Sequence, residues 1–180
     1  MPNKANLRRA FGSRHQDHIA EAHIREANPA DVSLISDLIR KSFRDVAERF
    51  GLTLENCPKH PSNCSDEWIE KDFDRDVIYY LLENDHVAVG CAGLEKANSD
   101  LCYLERLAVL PEFRRRGFGK RLADHVISRT KHLGAKQISI GIIGDDIELK
   151  QWYRQIGFIE GETMEFEHLP FPVTFMLYKL

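Results

Sequence analysis

The sequence predicts an α/β domain of the α+β kind: a single mixed, mostly antiparallel sheet with helices on both faces. Three observations lead there. Apolar patterns of strand and helix period follow one another in the order β-α-α-β-β-β-α-β-α-β-β. The run Leu101 to Leu110 is apolar on both faces except at Glu105 and Arg106, as a central strand covered on both sides would be. The 180 residues are 43% hydrophobic, enough for one core, and no repeat or linker divides them.

Residues 1–20 are polar and basic with little periodicity, and read as a flexible N-terminal arm to a domain spanning 21–180. Ala22 to Glu26 alternates weakly and opens the sheet. Asn28 can cap the next helix, Pro29 suits its first position and Asp31 suits its positive end. Ile35, Leu38, Ile39, Phe43, Val46 and Phe50 recur at helical spacing up to Gly51, with Arg40-Lys41 as a candidate break. Leu52 to Ser65 is a loop, and Ser65 can cap a short helix through Phe73. Val77 to Leu82 and Val87 to Leu94 are strands joined by a turn at Asn84-Asp85, and Gly90 and Gly93 suggest close backbone approaches.

On the strand Leu101–Leu110, strict alternation puts Leu101, Tyr103, Glu105, Leu107 and Val109 on one face. Cys102, Leu104, Arg106, Ala108 and Leu110 take the other. Glu105 and Arg106 then become partly buried charges that require partners. A helix follows from Phe118 to Leu133, then a strand from Gln137 to Ile143. Asp145 and Asp146 can cap a helix whose apolar face is Leu149, Trp152, Tyr153 and Ile156. Two last strands, Phe158–Phe166 and Val173–Leu180, flank a proline-rich connection.

The chemistry concentrates between the central strand and the helix at Phe118. Five of the eight residues from Arg114 to Arg121 are basic, and Gly117 and Gly119 sit among them. The first N–H groups of a helix lack intrahelical partners and carry partial positive charge. Glycine lets a ligand approach them, so this is a ready phosphate site. The P-loop pattern fails, because Arg121 follows Gly119-Lys120 and Arg114 stands where a glycine is needed. The dinucleotide pattern fails at Leu122.

What fits is Arg114-x-x-Gly117-x-Gly119 after Leu107-Ala108-Val109-Leu110-Pro111, which resembles the acetyl-CoA motif of the GNAT family of N-acetyltransferases. Downstream, Trp152-Tyr153-Arg154-Gln155-Ile156-Gly157-Phe158 resembles that family's second signature. The resemblance runs from about Val87 to Phe158 and implies a GNAT acyl-CoA acyltransferase fold. It implies that the strand ending near Val109 splays from the strand Gln137–Ile143, with the pantetheine arm of the cosubstrate acetyl-CoA in the gap. Leu107, Ala108 and Val109 would pair with its amides. Arg114, Arg115, Arg116, Gly117, Phe118, Gly119 and Lys120 would surround its pyrophosphate, and Asp146 stands where the family often has an Asn cofactor contact. A side chain at Gly117 is expected to cost binding and little stability.

Acetyl transfer to an amine needs a neutral amine, although a free alkylammonium has a pKa of about 10.4, and a proton for the departing thiolate. By resemblance Tyr153 is the general acid; on residue pattern alone it could equally be core. Glu105 is the candidate base, a partly buried carboxylate on the central strand. In family members with a strand glutamate as base, that residue aligns with Tyr103 here. The expected acceptor is a primary amine of a small molecule or peptide. An acyl-CoA sensor without activity is the alternative, and an intact Tyr153 speaks against it.

Other classes fit poorly. A net charge of -3 and the absence of interleaved aromatics argue against nucleic acid. Nothing approaches a membrane span or a secretory signal, and the four cysteines read as reduced thiols of a cytoplasmic protein. Cys57, His60 and Cys64 make an incomplete zinc set, so no metal is expected. A homodimer is left open.

Overall fold

The strand Ile78–Asn84 explains why the sheet is covered twice. Tyr79 and Leu81 point into one apolar cluster, Tyr80 and Leu82 into another, and all four are buried. In the computed structural model, which describes residues 22–180, this strand is β2 of a seven-stranded sheet. The others are β1 (Ala22–Glu26), β3 (Val87–Lys96), β4 (Leu101–Val109), β5 (Gln137–Ile143), β6 (Ile159–Met164) and β7 (Val173–Lys179). Their order is β1-β2-β3-β4-β5-β7-β6, and every pair is antiparallel except β4 with β5. The helices α1 (Val32–Phe50) and α2 (Asp66–Asp74) pack on one face, and α3 (Phe118–His132) and α4 (Ile147–Gln155) on the other. The element order is the one the sequence predicts. The arm at 1–20 lies outside the described residues, and among those described no helix is long and apolar enough to cross a membrane.

Local chemistry sets the boundaries. The Asn28 side chain accepts from the Ala30 N–H, while the Asp31 carboxylate accepts from the Asn28 N–H, a reciprocal cap. Gly51, at φ +62, ends α1. The expected break at Arg40-Lys41 does not occur: both side chains reach back to Asp37 along one continuous helix. Ser65 is the N-cap of α2, but its hydroxyl makes no capping bond. The β2–β3 turn lies one residue later than expected, with Asp85 and His86 both at positive φ, as a two-residue hairpin loop requires. At Gly90 a Cβ would stand 2.7 Å from the Ala108 carbonyl oxygen, and at Gly93 3.0 Å from the Glu105 Cβ, so both close approaches are real.

The central strand departs from strict alternation. Ala108 lies opposite Cys91 and Glu105 opposite Gly93, so β4 carries one extra residue between them. This is a β-bulge, with Arg106 at φ +43. Beyond it the faces exchange. Leu107 and Val109 join Cys102 and Leu104 on the α3 side, and Ala108 and Leu110 pack on the α1 side. Arg106 finds its partners there, as a buried charge must. Its guanidinium donates to the Asp72 carboxylate and meets the Tyr79 hydroxyl at 2.5 Å, and Tyr79 donates to Asp72 at 2.7 Å.

The parallel pairing of β4 with β5 is short. It runs from Leu101 opposite Gln137 to Tyr103 opposite Ser139 and stops. Beyond that point β4 stays with β3 as far as Val109, and β5 stays with β7 as far as Ile143. The two strands therefore diverge and leave a wedge open between them.

Asp72 is nearly inaccessible and serves Arg106, Arg75 and Tyr79 together. Asp72→Ala strands a largely buried guanidinium, and the expected loss is about 3–5 kcal/mol in urea unfolding. Asp72→Asn, which retains an acceptor for Tyr79, should lose less. A loss within experimental error for both variants would show that the bulge holds without this network.

Candidate active site

The wedge is the floor of a cavity of about 800 Å³. Leu107, Ala108 and Val109 of β4 and the stretch Ser139–Ile143 of β5 line it, with residues of α4, of α1 and of the loop around His60. Leu110 donates its N–H to the Val89 carbonyl on β3 at 2.9 Å. By alternation, the N–H and C=O of Val109 turn away from β3 to the open edge, while those of Ala108 turn toward Cys91 on β3. Of these two residues, Val109 is the one whose N–H is open to a ligand in the wedge, its carbonyl being taken by Arg114.

Past Val109 the chain makes a short 3-10 turn at Pro111–Phe113 and enters the basic loop. Arg114 does not face the loop. Its guanidinium grips Asp45 at 2.5 and 3.1 Å, the Ser42 carbonyl at 2.5 Å and the Val109 carbonyl at 3.2 Å, which fastens the loop to α1. Arg116 stacks over the Phe113 ring at 5.2 Å, and Arg115 adopts φ +61. Lys120 is paired with Asp124 at 2.5 Å.

Gly117 is the N-cap of α3. The first helical bond runs from the Arg121 N–H to the Gly117 carbonyl, which leaves the N–H groups of Phe118, Gly119 and Lys120 without helical acceptors. No side chain caps this end and no acidic residue stands in its first turn. The start of α4 is different: Asp146 accepts from the Leu149 N–H at 3.1 Å. Asp146 is also buried and paired with Arg49 of α1 at 2.5 Å. Of these two helix starts, α3 is the one whose N-cap residue gives no side-chain cap.

Tyr153 and Glu105 both line the cavity, from α4 and from β4. The Tyr153 ring packs edge-on against Trp152 and Phe158, with centroids 4.8 and 5.2 Å away. Its hydroxyl has no hydrogen-bond partner among the described residues, and burial pushes its pKa up. Glu105 likewise has no hydrogen-bonding partner there. Burial raises its pKa, the neighbouring Arg106 charge opposes the rise, and the Glu95 and Asp72 charges add to it. The partner that sequence reasoning demanded for Glu105 is thus missing, whereas Arg106 has two.

The Cys57–His60–Cys64 stretch does not converge on a point. Cys57 packs with Ala47, Leu52 and Ile143, and Cys64 packs in the α1–α2 core. The His60 Nδ1 lies 2.8 Å from the Ser62 hydroxyl, and burial lowers its pKa. Among the described residues no group of three or more His, Cys, Asp and Glu side chains is arranged to hold a metal ion.

The fold that carries this site has counterparts in known proteins. The profile of the Acetyltransferase (GNAT) family matches residues 37–158. The chain belongs to this family. The GNAT chain is 27% identical over 148 residues to the amino-acid acetyltransferase of Neisseria meningitidis serogroup A / serotype 4A, a match covering 82% of this chain and 29% of that relative. It therefore spans less than a third of that relative's length. The PaiA N-acetyltransferase of Thermoplasma acidophilum in complex with coenzyme A superposes with a TM-score of 0.74 at 17% identity, over 89% of this chain and 99% of that one. A GNAT family acetyltransferase of Elizabethkingia anophelis with acetyl-CoA bound gives 0.64 at 18% identity, over 88% and 98%. These likenesses speak for the fold, and the profile match gives the family.

This GNAT site also uses residues that the sequence reading passed over. Ser42, Asp45 and Arg49 recur at spacings of three and four on α1, which is one face of a helix. Their apolar neighbours Phe43 and Val46 drew the attention. One expectation is also corrected. Nothing lies within 4 Å of a Cβ built at Gly117, but φ there is +81. A β-branched residue is strained at that angle whatever the space. Gly117→Val should lower unfolding free energy by about 1–2 kcal/mol, read by denaturant titration. An unchanged midpoint would mean that the loop relaxes freely.

Proposed function

We propose that the protein transfers an acetyl group from acetyl-CoA to a primary amine of a small molecule or peptide by direct attack, without an acyl-enzyme. The observation that carries this reading is the pair Glu105 and Tyr153, two ionisable groups without hydrogen-bond partners among the described residues, on the walls of one cavity. The residues present fit the cosubstrate. The open amides at Phe118 to Lys120, with Arg115 and Arg116 beside them, suit a pyrophosphate, and the open N–H of Val109 suits a carbonyl of an amide chain. Arg114 contributes by holding the loop against α1 rather than by touching phosphate.

Bound there, acetyl-CoA supplies the acetyl group as a thioester. Glu105 accepts a proton from the incoming ammonium, directly or through water, so that the nitrogen lone pair is free to attack. A free amine is almost wholly protonated at neutral pH, and the raised pKa of Glu105 makes it a better proton acceptor than an exposed glutamate. Tyr153 keeps its proton because burial disfavours the phenolate. It can surrender that proton when negative charge develops on the leaving sulfur, since a thiolate in the same apolar surroundings is also destabilised. Asp146, neutralised by Arg49, adds no net charge at this end. The name of the Neisseria relative supports an amino acid as the first acceptor to try.

Tyr153→Phe removes only an unpartnered hydroxyl, so stability should hold while the single-turnover rate falls by about 10²–10⁴-fold. An unaltered rate would take Tyr153 out of the mechanism. Glu105→Gln should lower the rate over a similar range and abolish the limb that rises with pH. The folded pKa of Glu105 lies above its unfolded value, so the folded state holds the extra proton between the two. Stability contributed by the protonated group is therefore lost as pH rises through that window. Above it Glu105→Gln should melt higher than the parent, and a lower melting point would contradict the buried-carboxylate assignment.

A further inference from the structure

The other buried serine and threonine hydroxyls on helices among the described residues, those of Thr130 and Ser36, have acceptors, Ser36 with the Asp66 carboxylate as well as a carbonyl of its own helix. The Thr130 hydroxyl donates to the Val126 carbonyl at 2.9 Å and the Ser36 hydroxyl to the Ser33 carbonyl at 3.1 Å. Ser42 does not follow. It is 3% exposed, and among the described residues its Oγ is the one solvent-inaccessible side-chain N or O atom left with no partner. A buried hydroxyl without a partner is disfavoured, so such an atom needs a reason.

Its position supplies one. Ser42 lines the cavity from α1. The Arg114 guanidinium binds the Ser42 carbonyl and the Val109 carbonyl together, so Ser42 stands close to the end of β4. A chain lying along Val109, on its way from the α3 amides into the wedge, passes between the two. We propose that the Ser42 hydroxyl is a binding group for the pantetheine arm of acetyl-CoA, donating its hydrogen to a carbonyl oxygen of that arm. The proposal rests on the acetyl-CoA reading above. It adds a side-chain contact from the acceptor-side helix to a ligand otherwise held by backbone.

The test compares the full-length protein with Ser42→Ala by calorimetry, using two probes. Coenzyme A carries the pantetheine arm; adenosine 3′,5′-bisphosphate carries the nucleotide end without it. Loss of one hydrogen bond should weaken coenzyme A binding by about 3–10-fold and leave the bisphosphate unaffected. The ligand-free variant should melt no lower than the parent, because the free protein has no Ser42 bond to lose. Unchanged coenzyme A affinity overturns the proposal. So does a fall in ligand-free melting temperature with equal loss for both probes, which would mean that the hydroxyl bonds back to the Leu38 carbonyl as a structural group. A variant that binds coenzyme A normally but shows a raised KM for the amine assigns Ser42 to the acceptor and also overturns it. If the parent binds neither probe, the acetyl-CoA reading itself fails, an outcome distinct from the others.

Discussion

Three residue pairs of parallel sheet between β4 and β5 decide the form of this molecule. Where their pairing stops, two strands that stay fully bonded to their other neighbours must diverge, because a strand cannot follow two diverging partners. The extra residue at Arg106 makes the parting abrupt by turning the end of β4 over. Asp72 and Tyr79 hold that turn from beneath. The cavity, the open N–H of Val109 and the exchange of faces all descend from it.

Charge is arranged around the wedge with economy. Each of three arginines at the cavity is matched to an aspartate from another element: Arg106 to Asp72, Arg114 to Asp45 and Arg49 to Asp146. Matched pairs fix geometry and contribute little net field. Glu105, by contrast, is partly buried on β4 with no ion-pair partner among the described residues, and that gives this carboxylate an environment unlike those of Asp72, Asp45 and Asp146. The α3 N-terminus offers the complementary case, with amides uncapped and no acid near them.

Much of this could be read from residues. Element order, the central position of β4, the glycine start of α3 and the place of Tyr153 on the helix that follows β5 could be read from period, turn residues and the resemblance. The bulge could not be read, because a residue at positive φ is usually betrayed by glycine or asparagine, and here it is an arginine held by tertiary contacts. The direction of Arg114 was hidden for a related reason. A basic residue in a phosphate motif looks like a ligand group until Asp45, 69 positions earlier, is seen beside it. Ser42 left no trace at all, since an unsatisfied hydroxyl is defined by what surrounds it.

The ties across the wedge also bear on how the chain assembles. The β2–β3 hairpin closes over a two-residue loop, so that half of the sheet is built from local contacts. Arg49 and Asp146 are 97 residues apart, and closing so long a loop carries a larger entropic penalty than any hairpin turn. The clasp between α1 and α4 is therefore among the last contacts that folding can secure. A nascent chain emerging from its N-terminus would acquire the basic loop and its helix well before the far wall existed. The complete pocket belongs only to the finished protein.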